Sequence, residues 1–93
     1  MISSSQAQLQ IAEHRRAIDA LDEQLVALLN ERARHSLAIR ALKPACGMQV
    51  FDPAREDQIK QRLHALGEGP LRAGDLDEIY GTILKVMKEV PSA

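Results

Sequence analysis

The sequence predicts an all-α fold of three helices, one long, one short and one of medium length, in a chain of 93 residues. Three observations predict it. The stretch from about Gln6 to Lys43 holds neither Gly nor Pro and is rich in Ala, Leu, Glu, Gln and Arg, which are good helix formers. Apolar residues along it recur at helical spacing, at Ile11, Ile18, Leu21, Leu25, Leu28, Leu29, Ile39 and Leu42. No segment alternates with the period of two that a half-buried strand needs.

The first helix, over about 6–43, is roughly 35 residues and so about 50 Å long at the helical rise. A chain this small cannot cover such a stripe by itself, so the helix is expected to pack against a second copy. Pro44 and Gly47 end it, with Lys43 its last strong residue, and a loop is expected over 44–51. Asp52-Pro53 is a start signal, Asp as N-cap and Pro at the first helical position. The second helix, about 52–66, turns Ile59, Leu63 and Leu66 inward. Gly67-Glu68-Gly69-Pro70 breaks it, and the loop runs over 67–74. Asp75, with Glu78 three residues later, resembles the start of a capping box. The third helix, about 75–90, carries Leu76, Ile79, Tyr80, Ile83, Met87 and Val90, and Pro91 stops it. The whole reads as a single domain over 1–93.

Composition removes several classes of function. A net charge of −1 gives no bulk attraction to nucleic acid or acidic membranes, and one Phe, one Tyr and no Trp leave little for base stacking. The lone Cys46 excludes an internal disulfide, fits a reducing compartment and reads as an inert loop thiol. The first residues lack the basic flank and apolar run of a signal peptide, and no stretch has transmembrane length, so a cytoplasmic protein is expected.

Three cations do not fit the amphipathic pattern. At about 100° per residue, Ile18, Leu25 and Leu29 point within about 40° of one another. Arg32 and Lys43 fall in that sector, with Arg15 and Asp22 at its edge, while Arg16 and Arg34 point toward water. A charge on an apolar stripe needs an anionic partner or a route to solvent. These side chains either snorkel, pair with Asp22 and other carboxylates across a helical interface, or await an anionic ligand. Arg32 and Lys43 are about 16 Å apart along a straight helix, close enough for long side chains to converge on one ligand. Arg15 and Arg32 are about 25 Å apart, too far to share a small molecule within one chain. If Arg15 serves the same kind of site, it arrives from a second, antiparallel subunit, which predicts a two-fold dimer with two shared sites.

The second helix start adds Arg55 and Glu56 in a first turn whose unpaired N–H groups already favour anions. Arg55 offers a fork suited to a carboxylate, and Glu56 an acceptor for a ligand hydroxyl. Plain capping with a surface ion pair accounts for the same residues. No nucleophile–base pair stands out. His14 and His35 are isolated on the long helix, and His64 reads as solvent-facing. No Gly-rich phosphate loop and no metal-ligand spacing occurs, so no metal and no cofactor are expected. Cations and hydrogen-bonding groups alone suit a reaction with no proton shuttle and no covalent step.

Arg15-x-x-Ile18-Asp19-x-x-Asp22-x-x-Leu25-x-x-Leu28-Leu29-x-x-Arg32, followed by Lys43 and then Asp52-Pro53-x-Arg55-Glu56, resembles the AroQ-type, all-helical chorismate mutases. The resemblance runs from about Gln10 to Met87. It implies an intertwined homodimer that converts chorismate to prephenate without a cofactor, a step toward phenylalanine and tyrosine. By motif match it implies that Arg15 reaches into the partner's site to bind one substrate carboxylate and that Arg32 binds the other. Lys43 would donate to the ether oxygen, Asp52 and Glu56 would hold the ring hydroxyl, and Arg55 would support that end. The family's third helix usually supplies a Gln to the ether oxygen and a small polar residue one turn earlier. This sequence has Pro91 and Met87 there, which leaves Lys88 or Glu89 to stand in. Two other readings follow from the same residues. An isochorismate pyruvate lyase shares the fold and the cationic site, although its loop pattern lacks the Glu of Arg55-Glu56. A weakly active or non-catalytic regulatory dimerisation module acting with a shikimate-pathway partner enzyme would account for the altered third helix.

Overall fold

The computed structural model describes residues 1–92 and contains three α-helices and one short 3-10 helix, with no strand among the described residues. The helices are α1 (Ser4–Leu42), α2 (Pro53–Leu66) and α3 (Ala73–Glu89), and the 3-10 turn spans Lys43–Cys46. The chain divides into two compact units, Met1–Arg32 and a second that starts at Ala33.

The first unit is the bulk of α1. It begins at Ser4, two residues before the expected start at about Gln6, behind a reciprocal cap at Ser3. The Gln6 amide donates to Ser3 Oγ and the Ser3 amide donates to Gln6 Oε1, both at 3.2 Å. Two of the orphan donors of the helix N-terminus are thereby satisfied. α1 buries none of its side chains. Ile18 and Leu25 remain 54% and 55% exposed, and Leu21 and Leu28 lie equally open.

The second unit holds the end of α1, the loop, α2 and α3. α1 stops at Leu42, so Lys43 opens the 3-10 turn instead of closing the helix, and Cys46 lies in that turn and is exposed. Pro44 has no N–H with which to continue the α pattern. Gly47 then takes a left-handed conformation at φ 69°. Its amide donates to Pro44 O at 3.2 Å and the Met48 amide to Lys43 O at 3.0 Å, which closes the turn.

α2 begins as its sequence predicts. Asp52 Oδ1 accepts from the Arg55 amide at 3.0 Å, and Pro53 occupies the first helical position. α3 begins two residues earlier than expected, and Asp75 has a different role. The N-cap is Arg72, and Asp75 sits at the third helical position, where its carboxylate accepts from the Arg72 amide at 2.9 Å and from Arg72 Nε at 3.1 Å. These bonds to the Arg72 backbone and side chain hold the Asp75 carboxyl below its ordinary value of 3.8. Glu78 takes no part in the cap, because the helix has already begun.

α2 and α3 pack against each other. Leu84 and Met87 of α3 form the buried core, with Ile59, Leu63, Leu76, Tyr80 and Ile83 half-buried around them. The inward assignment of Leu66 fails. Leu66 is 72% exposed and Ile79 is exposed as well. Leu66 is the last residue of α2, where the chain turns away and no following turn covers it. His64 is solvent-facing as its sequence predicts, and it also has a partner. Its Nε2 donates to Asp77 Oδ1 at 2.6 Å, which ties the last turn of α2 to the first turns of α3. Both side chains stay more than 40% exposed, so the pair contributes little to stability.

Candidate active site

The polar groups of the second unit gather around the segment that links the 3-10 turn to α2. Lys43, half-buried, extends its ammonium to the carbonyl of Val50 at 2.9 Å. One residue on, Phe51 presents its ring to a second cation: Lys88 Nζ from α3 lies 4.8 Å from the ring centroid. The next residue, Asp52, caps α2 and leads to Glu56, whose backbone amide donates to Asp52 O at 3.2 Å. The Glu56 carboxylate is itself held by Lys88, with Nζ 2.5 Å from Oε1. Two side chains from outside it, Lys43 of the 3-10 turn and Lys88 of α3, are thus bound to the short stretch Val50–Glu56, which itself carries Asp52 and Glu56.

The other residues that the sequence singles out lie differently. Arg55 turns back along its own helix, where Nη1 donates to Gln58 Oε1 at 2.7 Å on the exposed face. Arg15 is exposed on α1 and Arg32 is half-buried, both within the first unit. Met87 is buried. It is 7% exposed in the core between the helices, as a large apolar side chain at that position should be. Pro91 lies beyond the last residue of α3. Among the described residues no three His, Cys, Asp or Glu side chains gather as metal ligands, and no helix is long and apolar enough to cross a membrane.

Arg40 is the residue that sequence reasoning missed. Its guanidinium donates to three carbonyls at the C-terminal end of α3, with Nη2 at 2.6 Å from Met87 O and 3.0 Å from Lys88 O, and Nη1 at 2.7 Å from Val90 O. A cation there meets the unsatisfied carbonyls and the negative end of the helix dipole. A signal was present. Arg40 lies about 40° from Ile18 around the helix, at the same edge of the stripe as Asp22.

Fold and cluster together define the class: an all-helical domain with lysines, a capping aspartate and a paired glutamate gathered at one helix start. Comparison with known proteins makes it particular. The chain belongs to the chorismate mutase type II family, whose sequence pattern matches residues 14–91. It is 45% identical over 71 residues, 76% of its length, to a bifunctional chorismate mutase/prephenate dehydratase of Neisseria gonorrhoeae, of which it covers 19%. It is 28% identical over 90 residues, 90% of its length, to the protein of the same description from Aquifex aeolicus, of which it covers 22%. The chain therefore spans about a fifth of the length of the curated relatives it matches. Two solved structures of chorismate mutase from Thermus thermophilus, forms I and II, share the fold. Form I has a TM-score of 0.81 and 27% identity and covers 84% of this chain and 98% of its own, and form II has 0.84 and 26%, covering 87% and 92%.

Proposed function

We propose that this chain is a chorismate mutase domain that rearranges chorismate to prephenate. The observation that carries the reading is the family match over residues 14–91, coinciding with a charged cluster at the start of α2. The chemistry suits the residues. The reaction is intramolecular, so no atom enters or leaves, and the protein's task is to hold a compact conformer and stabilise charge on the breaking ether. The substrate is a dianion, which matches the surplus of cations on the apolar stripe of α1.

In this reading Arg32 binds one carboxylate and Lys43 donates to the ether oxygen. Asp52 and Glu56 hold the ring hydroxyl, and Arg55 supports that end of the ligand. Arg15 comes from a second copy and binds the other carboxylate. The exposed row Ile18, Leu21, Leu25 and Leu28 supports such a homodimer, since covering side chains already half-covered still gains roughly 1 kcal/mol each. The relatives joined to prephenate dehydratase support a partner enzyme that consumes prephenate. A cytoplasmic setting suits that pathway.

The test is direct assay of chorismate loss and prephenate formation by the purified chain. Turnover is expected, and Arg32→Ala or Lys43→Ala should lower it by about 10²–10³-fold or more while circular dichroism stays unchanged. Unchanged turnover in either variant sinks the proposed site. Preferential pyruvate release from isochorismate would make the chain a lyase. No turnover of either substrate, with no thermal stabilisation by a dianionic transition-state mimic, would make it a regulatory dimerisation module.

A further inference from the structure

We propose that Lys88 is a positioning residue of this site, acting through Glu56: it fixes the carboxylate that accepts the ligand's hydroxyl. The inference rests on the mutase reading above and adds a residue outside the matched motif. Lys88 Nζ reaches Glu56 Oε1 at 2.5 Å, the short end of a charge-assisted hydrogen bond. The Glu56 side chain is 25% exposed and that of Lys88 43%, so the pair is partly withdrawn from water. The same ammonium lies over the Phe51 ring at 4.8 Å. Lys88 therefore touches both ends of the segment Phe51–Glu56, which carries Asp52, Arg55 and Glu56.

The base of the Lys88 side chain is anchored too. Its own carbonyl accepts from Arg40 Nη2 at 3.0 Å, between the bonds from Arg40 to Met87 O and Val90 O. The last turn of α3 is thus held at the backbone by Arg40 while its lysine holds α2. One Glu56 oxygen is engaged by Lys88, and the other is the acceptor offered to a ligand hydroxyl. In this arrangement α3 serves the site without contacting the ligand, although Met87 is buried and Pro91 lies past the helix end.

The experiment measures kcat and KM for chorismate in the whole chain and in Lys88→Met, Lys88→Arg, Glu56→Gln and the Lys88→Met/Glu56→Gln double variant. Circular dichroism checks the fold of each. A loosened carboxylate is expected to lower kcat/KM about 10–100-fold in Lys88→Met, with the larger part in kcat. Arginine is expected to restore most of the loss. In the Glu56→Gln background, Lys88→Met should change kcat/KM by less than about twofold, because its route of action is already gone. A purely structural lysine would instead multiply the two losses. Multiplication, an arginine variant as poor as methionine, or a Lys88→Met chain as active as wild type overturns the inference and leaves the mutase reading standing. An inactive wild-type chain overturns that reading, and this inference with it.

Discussion

Asp75 shows how much one residue's neighbours decide. Its carboxylate accepts from the Arg72 amide and from Arg72 Nε, so it titrates below its ordinary value of 3.8. A depressed folded-state value means that the ionised form binds the folded chain better. The resulting stabilisation is fully present above about pH 4 and fades as pH falls through the lowered value. Asp75→Asn should therefore flatten the acid limb of stability, followed as helical circular dichroism during acid titration. An unchanged limb would mean that the cap contributes nothing. The residue type was legible in the sequence as a capping group. Its position was not, because Asp is common both at the N-cap and in the first turn, and Arg72 is an unusual N-cap.

At the scale of elements, the end of α3 is held by a residue 47 to 50 positions away. Arg40→Ala removes a half-buried cation from three carbonyls and should destabilise the second unit by about 2 kcal/mol. Denaturant unfolding measures that loss. Exchange of the Val90 amide, which bonds to Val86 O in the last turn, should accelerate with it. Lysine at 40 should recover little, since an ammonium cannot match the guanidinium fork. The helix start at Asp52 was readable because a cap is local, made within three residues, whereas the equally local cap at Ser3 went unread. The partner of His64 was not readable for the opposite reason: Asp77 belongs to another helix.

For the whole molecule, the open stripe of α1 leads to a prediction about assembly. If Arg15 serves the site of a second copy, Arg15→Ala and Lys43→Ala chains are each inactive alone. Mixed, dissociated and reassociated, they form hybrids in which one site of two has every residue. An equimolar statistical mixture should then recover about a quarter of wild-type turnover. No recovery, with hybrids demonstrated by mass, would put Arg15 and Lys43 in the same chain's site.

The sequence by itself determined the helix count, the breaks at Pro44, Gly47 and Gly67–Pro70, the cap at Asp52 and the amphipathic stripe of α1. All of these follow from residues a few positions apart, where backbone sterics and helical phase act directly. It also carried the separated motif from Arg15 to Glu56 that marks the family. Only the tertiary structure decided that Lys88 pairs with Glu56, that Lys43 is tied to Val50, that Arg40 caps α3 and that Met87 belongs to the core. Apart from the Lys43 tie, these depend on which helix a side chain meets, set by the packing of elements rather than by the phase of any one of them. A lysine on α3 looks the same in sequence whether it faces water or a carboxylate, and the approach of α2 settles which.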